Sequence, residues 1–208
     1  MKKTIFKTLL DTIPDQTIYD SYFSSFLAVE TDEGPGMAMY MPDHDSFSMA
    51  RINAHYNQGC EYYEPYENYC TFGLDFTGKT VGVIGNMKGV RKRYGDIAGK
   101  IYVFDYEQEE GVLPFEMEEE LLPTCDILVI TGSSVINETV DHILEITPDA
   151  YRILVGPSVP MCPDLLDFGF DRLSGMVISD TEKMREHIKG GLHGSPYYFG
   201  TPFMIKKS

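Results

Sequence analysis

Residues 125–137 read CDILVITGSSVIN, from Cys125 to Asn137. Ile127 to Ile130 is an apolar run rich in β-branched residues, with no polar residue alternating. A short run of this kind suits a strand buried on both faces, as in a parallel sheet. Thr131-Gly132-Ser133-Ser134 follows, and then a helical pattern. The turn therefore lies where a strand ends and a helix begins. In open α/β sheets, ligands bind outside the carboxyl ends of the strands. The strand reads as sheet core and the turn as part of a site.

Four more strands read outward from this one: Thr80–Ile84 (TVGVI), Lys100–Asp105 (KIYVFD), Tyr151–Val155 (YRILV) and Leu173–Ile178 (LSGMVI). Helix patterns fall between them. One starts near Met87, and others cover Phe115–Leu122, Asn137–Ile146, Pro163–Phe168 and Thr181–Lys189. The last follows Asp180, a good N-cap. Strands alternating with helices imply βαβ crossovers and one mainly parallel sheet. The tail, GGLHGSPYYFGTPFMIKKS, is rich in glycine and aromatics and reads as a loosely ordered terminus.

Upstream the pattern is different. Phe6, Leu9, Leu10 and Ile13 recur at helical spacing, and Pro14 helps to stop that helix. Thr17–Glu30 reads as one strand, residues 31–36 as a turn and Met37–Met41 as a second strand, which together make a hairpin. Ser46–Gln58 reads as a helix carrying Asn53 and Asn57. Residues 59–76 have no clear period and read as a packed connector. The fold class expected is α/β: a small α+β module over residues 1–76, then a Rossmann-like domain over 77–208.

The chain has 208 residues, is 43% hydrophobic and carries a net charge of −15. That charge argues against broad binding to nucleic acid or an anionic membrane. No run approaches the roughly 18 apolar residues that a membrane span needs. The four cysteines form no CxxC pair and read as reduced cytosolic thiols. A cytoplasmic protein is therefore expected, and a homo-oligomer is compatible with the sequence.

Three strand-end loops combine glycine with small polar residues. The first holds Gly85 and Asn86. Asp105 lies about 20 residues on, the spacing of an acid that binds a nucleotide ribose. Lys88, Arg91, Lys92 and Arg93 put positive charge beside this loop. They would serve an anionic ligand, or pair with the acids between Glu107 and Glu120, a run that itself reads as solvated surface. The second loop holds Gly132, Ser133, Ser134 and Asn137, and the third Gly156, Pro157 and Ser158. Three such loops on one sheet edge favour a binding site. The simplest geometry docks the helix with Asn53 and Asn57 over them, so that these two and Asn137 share a pocket. A divalent metal ion is the candidate cofactor. His44, between Asp43 and Asp45, and His55, five residues before Cys60, are its candidate ligands, although neither matches a metal-site spacing. There is no Gly-x-Ser-x-Gly elbow, and no Cys/His arrangement is visible.

Three segments resemble a family of unknown function labelled "putative heavy-metal chelation". They are Glu120–Asp126 (ELLPTCD), Ile130–Thr139 (ITGSSVINET) and Val155–Pro160 (VGPSVP). Ile52–Asn57 (INAHYN) is similar to a motif of the family's N-terminal module. The resemblance implies an enolase-N-terminal-like module joined to a Rossmann-like domain, with a cleft between them. It also implies a role in heavy-metal or cobalamin-precursor handling. The chain departs from the family pattern at Asn86 and at Phe104–Glu107.

Three functions stay open at this point. The leading one is a binding protein or enzyme for a small anionic or metal-chelating ligand in the cleft. The second is a nucleotide-dependent enzyme, and the third a noncatalytic scaffold with an acidic partner-binding face.

Overall fold

The structure, a computed structural model, describes residues 3–59, 63–65, 72–107, 109–191 and 195–207. Cys60, Cys70, His193 and half of the connector lie outside these residues. Helix α1 (Ile5–Thr12) begins on Thr4, whose side chain accepts a hydrogen bond from Lys7 N–H. It buries Ile5, Phe6 and Leu9. Three antiparallel strands follow: β1 (Ile18–Phe23), β2 (Phe26–Thr31) and β3 (Gly34–Met39). Helix α2 (Ser46–Tyr56) starts on Asp45, whose carboxylate accepts from Ser48 N–H, and packs across β3.

The segment expected as one strand is thus two. The chain reverses at Ser24-Ser25, and Ser24 N–H donates to the Phe26 carbonyl. Hairpin turns usually announce themselves with glycine or asparagine. This one has neither, so the apolar pattern ran through it.

The remaining elements are β4 (Glu64–Pro65), β5 (Thr80–Ile84), α3 (Lys88–Tyr94), β6 (Lys100–Phe104), α4 (Glu118–Leu121), β7 (Ile127–Thr131), α5 (Ser133–Ile136), α6 (Val140–Ile146), β8 (Tyr151–Val155), β9 (Arg172–Ile178), α7 (Thr181–Lys189) and β10 (Gly200–Lys206). The strands form one sheet in the order β4-β10-β9-β8-β7-β5-β6. The five from β5 to β9 are mutually parallel, as expected. Ile127 to Ile130 sit between two parallel neighbours and are all buried. Numbered in their own sequence, the five run 2-1-3-4-5, a doubly wound order that reverses between β5 and β7.

From Gly200 to Lys206 the tail is an ordered strand. β10 pairs antiparallel with β9 along its whole length, from Gly200↔Ile178 to Lys206↔Arg172. Pro202 has no N–H to give, and it sits opposite Met176 of β9; among the described residues β4 pairs with Phe203 and Met204. The expected helix over 137–146 also differs. It is α5 and α6, separated by Asn137, Glu138 and Thr139, with Glu138 at φ 59°. The helix expected from Phe115 is a 3-10 turn leading into α4.

One apolar cluster joins Phe6, Val29, Met49 and Ile52 to Ile130, Val135, Leu154 and Met161. A second, with Phe72, Phe76, Val83, Val129 and Ile153, covers the other face of the large sheet. Arg185 of α7 makes a two-pronged contact with Glu30 of β2, at 2.5 Å for each pair of atoms. The guanidinium holds the Glu30 carboxyl below the usual carboxylate range. No helix among the described residues is long and apolar enough to cross a membrane.

Candidate functional site

A cleft of about 390 Å³ opens at the carboxyl ends of β5, β6 and β7, where the strand order reverses. Ligands of doubly wound sheets bind at this place. Ile84, Gly85, Asn86 and Met87 come from β5 and its loop, and Phe104, Asp105 and Tyr106 from β6. The loop after β7 gives Thr131, Ser133, Ser134, Asn137 and Thr139. Phe115 and Glu118 close one side, and Met39 and Met41, at the end of β3, the other.

Two glycines let the loops approach. Gly85 has φ 93°, and a β carbon on it would lie 3.0 Å from Thr131 Cβ. A β carbon on Gly132 would lie 2.9 Å from Val159 N.

Asp105 organises the first loop. Its Oδ2 accepts from Asn86 N–H at 2.6 Å and its Oδ1 from Glu107 N–H at 3.0 Å. The Asn86 side chain donates to Glu109 at 3.0 Å and accepts from Arg91 at 3.2 Å. Lys88 meets the same Glu109 at 2.9 Å and does not line the cleft. In the second loop, Ser134 Oγ donates to the Thr131 carbonyl at 2.7 Å. Asn137 Oδ1 accepts from Thr139 Oγ1 at 2.8 Å and from Thr139 N–H at 3.2 Å.

Glu118 is different. It is partly buried, lines the cleft, and takes no side-chain hydrogen bond or ion pair from any described residue. Its neighbour Glu119 contacts His142 instead. Burial pushes the Glu118 carboxyl up to about 7, with the charge of His142 opposing and that of Glu119 adding. A raised acid pKa stabilises the fold below the unfolded value of 4.5, and that contribution is lost as pH rises to about 7. Glu118→Gln should therefore be more stable than the parent at pH 8 by about 1–3 kcal/mol, after allowance for partial exposure. The gap should close at pH 4. Urea unfolding at the two pH values checks this, and equal gaps at both would contradict it.

The other candidate residues lie elsewhere. Asn53 Nδ2 donates to the Met37 carbonyl at 2.7 Å. Asn57 Nδ2 donates to the Val159 and Met176 carbonyls, and its Oδ1 accepts from Met161 N–H. Ser158 Oγ accepts from Met39 N–H at 2.8 Å. Asn53, Asn57 and Pro157 border a separate space of about 10 Å³, while Gly156 at φ 120° turns the chain out of β8. The structure thus brings together Gly85, Asn86, Asp105, Ser133, Ser134 and Asn137, but not Asn53 or Asn57. The reason is that Asn57 serves backbone groups of the β8–β9 segment, so α2 docks beside the loop after β8 and not over the loops after β5 and β7.

His44 is exposed, and His55 Nδ1 lies 2.7 Å from Glu33 Oε1. Neither lines the cleft. Burial raises the thiol of Cys162 and pushes that of Cys125 up to about 12. Among the described residues, no three His, Cys, Asp or Glu side chains are grouped to hold a metal ion.

Reading the sequence alone missed Glu118, Thr139, Met39 and Met41. The acidic run looked uniformly solvated, yet Pro114-Phe115 before it marked a turn able to tuck one carboxyl inward. Position 118 falls three residues from Phe115, on the same side of such a turn.

Comparison with known proteins agrees with this architecture. A protein of unknown function of the DUF364 family from Desulfitobacterium hafniense superposes with a TM-score of 0.85 at 24% identity, covering 98% of this chain and 97% of that one. A second DUF364 protein of unknown function, from Pyrococcus horikoshii, gives a TM-score of 0.80 at 20% identity, covering 98% of each chain. An uncharacterized protein of Methanocaldococcus jannaschii is 31% identical over 121 residues. That match covers 56% of this chain and 44% of the archaeal protein, so this chain spans under half of its length. The DUF364 family, described as "putative heavy-metal chelation", matches residues 71–203, and this chain belongs to that family.

Proposed function

We propose that the cleft binds a small organic ligand, and that a metal is handled as a complex with such a ligand and not as a bare ion held by the protein. The observation that carries this is the lining. Its wall is built from Met39, Met41, Ile84, Met87, Phe104 and Phe115. Flexible thioethers and aromatic faces suit an organic body, and methionine surfaces adapt to varied shapes. The carboxyl groups of the lining are Asp105 and Glu118, and its amides and hydroxyls include Asn86, Ser133, Ser134 and Asn137.

The described donors do not fit a resident ion. Glu118 is one carboxylate, Asp105 already serves two backbone N–H groups, and among the described residues no histidine or cysteine lines the cleft. A metal that arrives with most of its coordination filled needs little from the protein. The nucleotide reading is weaker on the same lining, because phosphates would face two carboxyl groups and no base.

A thermal-shift panel tests the proposal with free divalent ions, preformed metal chelates, tetrapyrrole precursors and nucleotides. Binding to the native state raises its melting temperature. A chelate or an organic precursor should raise it where the free ion does not. Asn137→Ala should lose that shift, and Lys88→Ala, outside the cleft, should keep it. A panel in which only free ions stabilise the protein would sink the reading.

A further inference from the structure

We propose that the cleft holds a cation subsite built on Glu118, so that the ligand presents positive charge there, either as a protonated amine or as a metal carried by the ligand. The inference rests on the reading of the cleft as a ligand site and adds the charge of what enters it.

Three observations support it. Among the described residues no lysine, arginine or histidine lines the cleft, while Asp105 and Glu118 do. The basic residues beside it do not line it and are already engaged: Lys88 by Glu109, and Arg91 by Asn86 and the Glu110 carbonyl. An anion entering the cleft would meet two acids and no counter-charge. The Glu118 carboxyl also has no hydrogen-bond partner among the described residues, unlike Asp105. A carboxylate that is partly desolvated and unpartnered is unfavourable in the empty protein and gains most from an incoming cation. The charges acting on Glu118 are those of His142 on α6 and Glu119 on its own helix, and Asp105 lines the same cleft. His142 is engaged by Glu119, which leaves Glu118 for the ligand.

A cation favours the ionised carboxyl, so binding should release a proton near neutral pH. Affinity for a permanent cation should fall as pH drops below about 7, the region to which burial pushes this group.

The test uses 2-phenylethylamine, its neutral counterpart 2-phenylethanol, its anionic counterpart phenylacetate, and a cationic nickel–bipyridine chelate. Binding is read from the methyl NMR signals of Met39, Met41 and Met87. At pH 8 the amine or the chelate should bind at least about tenfold more tightly than the alcohol, and phenylacetate should not bind. At pH 5.5 the amine should weaken by up to roughly 30-fold. Glu118→Gln should bind amine and alcohol alike and lose the pH dependence. The tighter of amine and chelate identifies the source of the charge. Equal binding of amine and alcohol by the parent protein, or an amine preference that survives in Glu118→Gln, overturns the subsite and leaves the cleft standing. If none of the probes moves a cleft methionine, the cleft reading falls and the subsite with it.

Discussion

Gly36→Ala is expected to unfold the protein or to lower its stability by more than about 4 kcal/mol. Gly36 needs no unusual backbone angle; what it needs is the absence of a side chain. A β carbon there would lie 2.1 Å from the Ala50 carbonyl oxygen and 2.2 Å from the Ala54 nitrogen. Both are backbone atoms of α2, so no rotamer change relieves the clash. Helix α2 would have to lift off β3, and Met49, Ile52 and Ala54, all fully buried, would lose their packing. Native domains are stable by only about 5–15 kcal/mol, so a loss of this size removes much of the margin. Gly78→Ala is the control. Gly78 has φ 70°, but nothing lies within 4 Å of its β-carbon position. Its substitution should cost about 1–2 kcal/mol from backbone strain alone. Soluble expression and urea unfolding of the two variants check the contrast. A Gly36→Ala protein that unfolds at the parent's midpoint would show that α2 and β3 do not approach as described.

The parallel sheet was legible because its signals are local. Ile127–Ile130 and Tyr151–Val155 are apolar runs bounded by turn residues, and their ends match the observed strands to within a residue. Burial on both faces writes itself into such runs without any knowledge of neighbours. Strand order left no trace of this kind, and the position of the cleft between β5 and β7 follows from that order. β10 was hidden for a different reason. Gly200 and Pro202 look like breakers, and only the pairing with β9 shows that both sit within a continuous strand.

The site was half legible. Gly85, Asn86, Asp105, Ser133, Ser134 and Asn137 stand at strand ends, and topology alone brings them together. Residues whose role depends on burial were misread in both directions. Glu118 sits in a run of acids yet turns inward, because the short 3-10 turn at Phe115–Met117 redirects the chain. Asn53 and Asn57 looked like ligand donors, yet their partners are backbone groups distant in sequence. An asparagine has the same donor and acceptor to offer a ligand or a carbonyl, so residue type cannot separate the two uses.

Asn57 is the place where that difference is measurable. Its side chain donates to the Val159 carbonyl at 2.9 Å and the Met176 carbonyl at 3.2 Å, and accepts from Met161 N–H at 2.8 Å. All three bonds are buried and join the residue that ends α2 to β9 and to the segment between β8 and β9. Asn57→Ala leaves those three backbone groups without partners, at about 1–3 kcal/mol for each group, not fully additive. A loss of about 3–5 kcal/mol is expected, or roughly 6–20 °C in melting temperature. Asn57→Asp should be worse at neutral pH. The carboxylate keeps the acceptor for Met161 but sets negative charge against two carbonyl oxygens. Burial and those carbonyls raise its pKa, so stability is present at low pH and lost as pH rises through the raised value. The Asp variant should therefore fall below the Ala variant at pH 8 and regain ground at pH 5, where a protonated carboxyl can donate to one carbonyl again. Ligand binding supplies the discriminating readout. If Asn57 is a clamp between α2 and the β8–β9 segment, both variants bind cleft ligands normally at temperatures where they remain folded. A variant that keeps the parent's stability but loses the ligand would return Asn57 to the site and remove it from the scaffold.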